Sequence, residues 1–94
     1  MQDDTRVGVV GLGYVGIPLA LALEDAGYET VGLDIDEDKI QQLKSGRSTV
    51  DDVSNDAITE AVRNNLSLTT DYQALSDVDS VCICVPTPLR KTDK

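Results

Sequence analysis

Histidine, phenylalanine and tryptophan are absent from this chain of 94 residues, and each absence closes off some chemistry. Without imidazole the usual near-neutral acid or base is missing, and so is the commonest zinc ligand. With only three Tyr as aromatics, stacking platforms for single-stranded nucleic acid are scarce. Basic residues are few as well: eight Lys and Arg stand against seventeen Asp and Glu, a formal net charge of -9. Such a chain is repelled at a distance by phosphate-rich surfaces, so neither nucleic acid nor an anionic membrane is an expected partner. Any phosphate it binds must be held by a local device. No apolar run approaches the roughly 20 residues that cross a bilayer. Met1-Gln2-Asp3-Asp4 is acidic, unlike the basic start of a secretory signal, so the expected compartment is the cytoplasm. The acid excess, with few lysines, suits a cytosol of high ionic strength and predicts a salt-loving source.

With 40% apolar residues the composition is that of a folded chain, and its length is that of one small domain. A short apolar run, Val7 to Val10, breaks at Gly11-Leu12-Gly13 and is followed by a helical stretch from about Val15 to Ala26: strand, glycine turn, helix. Leu19, Ala22, Leu23 and Ala26 recur at helical spacing and predict the stripe that faces a sheet, with Gly27 as the C-terminal cap. Pro18 falls in or just past the first turn, where a missing N–H costs least. Glu29 to Leu33 reads as a second strand, and Asp36 as the N-cap of a helix from Glu37 to Ser45 that buries Ile40 and Leu43. Ser54 caps a third helix with Ile58, Ala61 and Val62 on one face. Leu66 to Thr69 is a third strand, and a short turn or helix spans Asp71 to Ser76. The apolar run from Ser80 to Val85 then reads as a strand buried on both faces, stopped by Pro86-Thr87-Pro88. Alternating strands and helices call for an α/β fold: a Rossmann-like, doubly wound parallel sheet with right-handed crossovers.

Gly11-Leu12-Gly13-Tyr14-Val15-Gly16 has the G-x-G-x-x-G spacing, and each glycine has a physical duty. The first permits a tight turn out of the strand, the second lets a pyrophosphate approach bare backbone, and the third lets helix and strand pack closely. The helix N-terminus adds unpaired N–H groups and roughly half a positive charge. This is the local device that the net charge demands. Glycines also mark ordinary turns, so context decides. Asp34 stands at the end of the next strand, where a carboxylate can accept both hydroxyls of an adenosine ribose. With Asp36 nearby and no arginine between Asp34 and Lys39, a 2′-phosphate is disfavoured, and NAD is expected over NADP. Lys39, one helical turn on, is placed either beside that ribose or in solvent. Cys82 and Cys84 share a strand face about 6.6 Å apart, near the limit for a disulfide, and read as small core hydrophobes. Asp51-Asp52 reads as a solvated loop rather than a cation site.

The run Val7 to Ala20, then Gly32-Leu33-Asp34-Ile35-Asp36 with Lys39, then Val85-Pro86-Thr87-Pro88-Leu89, resembles the N-terminal part of the nucleotide-sugar 6-dehydrogenases. These oxidise UDP-glucose, UDP-N-acetylglucosamine or UDP-N-acetylmannosamine to uronic acids. The resemblance implies that Gly11, Leu12, Gly13, Tyr14, Val15 and Gly16 hold the pyrophosphate and that Asp34 and Lys39 hold the adenosine ribose. It also implies that Val85, Pro86, Thr87 and Pro88 lie near the nicotinamide side. Pro-Thr-Pro-Leu followed by Arg90-Lys91 looks more like the N-acetylhexosamine branch, although Ser48-Thr49-Val50 departs from the Ser-Pro-Ile or Ser-Tyr-Ile of many relatives. Family members pass two hydrides to two NAD through an adduct on a cysteine of a later domain, which Cys82 and Cys84 do not match. The UDP-sugar contacts also lie later. Residues 1–94 are therefore expected to form a partial NAD-binding domain without dehydrogenase activity of its own. Two other readings of the glycine motif stay open: a non-catalytic NAD(H)-sensing module and an oxidoreductase of the 6-phosphogluconate type. Pro86-Thr87-Pro88 speaks against the first, and Tyr14-Val15 with Asp34 against the second.

A complete dinucleotide fold has strand order 3-2-1-4-5-6, and four strands here predict 3-2-1-4. The strand from Ser80 is then an edge with a bare apolar strip, and self-association through Val81 to Val85 is expected.

Overall fold

A computed structural model of the chain describes residues 5–84. Four strands, β1 (Arg6–Val10), β2 (Glu29–Leu33), β3 (Leu66–Thr69) and β4 (Ser80–Ile83), form one sheet in the order β3-β2-β1-β4. All three pairings are parallel, with Val10 opposite both Leu33 and Ile83, and Leu33 opposite Thr69. Both the expected order and the parallel sense are found. Three helices, α1 (Gly16–Asp25), α2 (Glu37–Lys44) and α3 (Asn55–Arg63), carry the crossovers, and a short 3-10 helix, Tyr72–Asp77, leads into β4.

The helix ends obey local chemistry. Asp36 accepts the Lys39 N–H at the start of α2, and Ser54 accepts the Ala57 N–H at the start of α3, each satisfying an orphan donor of its first turn. At the end of α1, Gly27 N–H donates to the Glu24 carbonyl and Tyr28 N–H to the Leu23 carbonyl, and Gly46 with Arg47 repeats this pair of bonds after α2. Both ends are Schellman closures, each built around a glycine with positive φ.

One sheet face is covered by the three helices. Val9, Leu66 and Leu68 from the strands meet Ile17, Ala20, Ile40, Leu43, Ile58 and Ala61 there. Each large aliphatic side chain fully buried in this layer contributes about 1.5–3 kcal/mol. The phase of α1 differs from the expected stripe. Gly16, Ile17 and Ala20 are buried, Leu19 and Leu23 are partly buried, and Ala22 and Ala26 are exposed. Residues 19–23 are all apolar, so periodicity cannot choose a face, and the close contact of Gly16 with the preceding turn sets the rotation instead.

The opposite face carries Gly8, Val10, Val31, Leu33, Val81 and Ile83 by register. The 3-10 helix reaches it where Leu75 and Val78 lie over Gly8. Beyond that contact Val81 is 44% and Ile83 69% exposed, so β4 is not the doubly buried strand that its apolar run suggested. Cys82 and Cys84 are free thiols, both half-buried, and Cys84 packs against the core. No helix among the described residues is long and apolar enough to cross a membrane.

Candidate functional site

The site is assembled where β1 and β2 end. The chain leaves β1 through Gly11, whose φ of 96° an L side chain resists, and a Cβ there would overlap the Cys84 carbonyl oxygen. The turn is tied to β2, because Gly11 N–H donates to the Leu33 carbonyl at 2.8 Å. Helix α1 then begins so close beneath the turn that a Cβ on Gly16 would overlap the Gly11 carbonyl oxygen. Gly11 and Gly16 are thus demanded by the protein's own packing.

Gly13 is different. Its φ is not in the left-handed region, and a Cβ built there meets nothing within 4 Å among the described residues beyond its own chain neighbours. The fold has no use for a glycine at this position, yet bare backbone is what an approaching phosphate requires. The neighbouring amides point the same way. Among the described residues, the N–H groups of Gly13, Tyr14, Val15 and Gly16 find no acceptor, and no side chain caps α1. Helices α2 and α3 both have caps. An uncapped helix start presenting unpaired amides and the positive end of the helix dipole is suited to an anion.

Asp34 extends from the end of β2 toward this turn, with its side chain 11% exposed. Its Oδ2 accepts the Leu12 N–H at 2.9 Å and the Lys39 Nζ at 3.3 Å, while Oδ1 accepts the Asp36 N–H at 2.9 Å. Burial alone would raise the Asp34 pKa, but the Leu12 and Asp36 amides and the Lys39 charge outweigh it and hold the carboxyl below the ordinary aspartate range. Asp34 is therefore a carboxylate at neutral pH, already oriented by the chain.

The structure brings Gly11 to Gly16, Asp34 and Lys39 into one cluster. Leu12 takes part through its amide alone, since its side chain is 1% exposed in the core. Tyr14 and Val15 stand out at 73% and 68% exposure. Val85, Pro86, Thr87 and Pro88 lie outside the described residues. Two features escaped the motif reading: the Asp34 to Leu12 bond and the exposed Ile35 beside the carboxylate. The Asp-Ile-Asp spacing at a strand end, which favours an Asx turn onto the Asp36 amide, was the available signal for the first half of this arrangement. A groove of about 300 Å³ lined by Arg6, Val31, Ser67, Thr69 and Asp77 lies on another part of the sheet and includes none of these residues.

The NAD binding domain of the UDP-glucose/GDP-mannose dehydrogenase family matches residues 5–94. The chain is 35% identical over 92 residues to the UDP-N-acetyl-D-mannosamine dehydrogenase of Methanococcus maripaludis, covering 97% of this chain and 21% of that protein. It is 37% identical over 89 residues to the GDP-mannose 6-dehydrogenase of Pseudomonas aeruginosa, covering 92% and 20%. Among solved structures, a UDP-D-ManNAc dehydrogenase from Pyrococcus horikoshii superposes with a TM-score of 0.84 at 32% identity, over 92% of this chain and 21% of that one. The chain thus spans about one fifth of the length of the relatives it matches.

Proposed function

Because the chain belongs to the UDP-glucose/GDP-mannose dehydrogenase family, as its NAD binding domain, we propose that it is the cofactor-holding part of an enzyme that oxidises a nucleotide-linked sugar at C6 to the uronic acid. NAD supplies the hydride acceptor for that chemistry when bound. The chain's own residues bind and orient. On this reading the amides of Gly13, Tyr14 and Val15 take the diphosphate, Gly11 and Gly16 shape the turn, and Asp34 with Lys39 takes the adenosine ribose. Ile35, 79% exposed beside Asp34, offers an apolar face to the adenine. Val85, Pro86, Thr87 and Pro88 serve the nicotinamide side. The 94 residues bind the cofactor without turning over a substrate, and the nucleotide sugar is a partner of the longer protein. The family match favours this reading over the sensing module and the 6-phosphogluconate-type enzyme.

The observation that carries the proposal is Gly13, a glycine that packing and backbone strain do not require, set among unpaired amides. Asp34 favours NAD over NADP, since a carboxylate repels a 2′-phosphate. Calorimetric titration of the chain with each dinucleotide tests this. NAD binding with weaker or undetectable NADP binding is expected. Tighter NADP binding would overturn the role given to Asp34, and binding of neither would overturn the cofactor site.

A further inference from the structure

The ladder between β1 and β2 does not stop where the strands do. Gly11 N–H reaches the Leu33 carbonyl at 2.8 Å, and the next amide, Leu12 N–H, reaches the residue that follows β2 at 2.9 Å, but through its side chain, Asp34 Oδ2. The Asp34 backbone is turned the other way, its own N–H donating to the Thr69 carbonyl. The last tie on the glycine turn is thus a carboxylate, and it holds the amide immediately before the unpaired ones.

A carboxylate has about four acceptor positions. Leu12 N–H, Asp36 N–H and Lys39 Nζ occupy three of them. The two backbone bonds, at 2.9 Å, belong to the fold. The lysine contact is longer, 3.3 Å, and comes from a flexible side chain. This leaves little room for two ribose hydroxyls unless Lys39 gives up its place.

We propose that Asp34 is a positioning residue for the phosphate turn as well as a ribose acceptor: by holding the Leu12 amide it fixes the aim of the Gly13, Tyr14 and Val15 amides, and Lys39 is the partner it releases to the ribose. The inference rests on the cofactor-binding reading for its ligand and on the ligand-free hydrogen bond for its structural half. It makes a prediction opposite in sign to simple electrostatics. Removing a negative charge from beside an anion site should strengthen anion binding. Removing the tie should weaken it.

The test uses Asp34→Ala, Asp34→Asn and the unmodified chain, with inorganic pyrophosphate, which has no ribose, as the probe. Without ligand, amide exchange at Leu12 should speed up in Asp34→Ala and the Gly13, Tyr14 and Val15 resonances should move, while far-UV circular dichroism stays that of the folded chain. Pyrophosphate should then bind Asp34→Ala about tenfold more weakly, the cost of misdirecting roughly one charge-assisted hydrogen bond. Asp34→Asn keeps one acceptor oxygen and should recover part of the pyrophosphate affinity while NAD stays weak. Unchanged Leu12 exchange, or pyrophosphate binding that is equal or tighter in Asp34→Ala, would overturn the proposal. If the unmodified chain binds no pyrophosphate, NAD titration decides the cofactor-site reading, and Leu12 exchange alone decides the tie. If Asp34→Ala does not fold, Asp34→Asn carries both readouts.

Discussion

Gly13→Ala separates what the fold needs from what the ligand needs. Among the described residues the added methyl meets nothing within 4 Å beyond its chain neighbours, and the backbone at Gly13 is outside the left-handed region, so the fold accepts it without strain. Replacing glycine by alanine at a compatible site restricts the unfolded chain and stabilises the fold by about 0.4–1 kcal/mol. For a domain of this size that raises Tm by about 2–8 °C. The same methyl stands in the approach to the unpaired amides. Loss of one charge-assisted hydrogen bond to a phosphate oxygen costs about 1.5–3 kcal/mol, a Kd raised about 10- to 150-fold. Thermal unfolding and calorimetric NAD titration of the same preparation provide both numbers. A variant that is more stable and binds NAD poorly meets the expectation. A Gly13→Ala protein that unfolds earlier, or that binds NAD like the unmodified chain, would refute the reasoning.

Gly16→Ala should behave in the opposite way, since its methyl overlaps backbone rather than open space. The turn and α1 must separate, a strain of about 1–3 kcal/mol or more, read as a lower Tm without ligand; an unchanged Tm would contradict the packing argument. Asp34 also sets a pH dependence. Its pKa is lowered on folding, so the stability it contributes is full above the ordinary aspartate value of about 3.9 and is lost as pH falls through the lower folded value. The urea midpoints of the unmodified chain and Asp34→Asn should therefore differ at pH 7 and converge in strong acid, and a gap independent of pH would refute the assignment. The exposed Val81 and Ile83 on open-edged β4 are expected to pair with a second copy once salt at about 1 M screens the net charge of -9. Sedimentation should show a dimer that Ile83→Lys abolishes, and a clean monomer at high concentration would count against it.

Much of this architecture is legible in the chain because its signals are local. The bounds of β2 and β3, the caps Asp36 and Ser54, and the glycine closures after α1 and α2 each follow from a residue acting on its own backbone. The rotation of α1 is not legible in that way. With residues 19–23 all apolar no face is marked, and the decisive contact, Gly16 against Gly11 and Cys84, is tertiary. The apolar run of β4 likewise announces a strand but not what covers it, and only register places Val81 and Ile83 on the open face. In the site, spacing identifies Gly11, Gly13, Gly16 and Asp34. It does not say that Gly13 differs from the other two, nor that Asp34 reaches across 22 residues to the Leu12 amide. Both distinctions require knowing what each atom meets in space.

Where a dinucleotide diphosphate rests on the chain is the central question. Titrating isotopically labelled chain with NAD while following backbone amide resonances measures that directly. The amides of Gly13, Tyr14 and Val15 should show the largest shifts, saturating together with those around Asp34. Saturable NAD binding that leaves these three resonances in place and moves another part of the sheet would contradict the account.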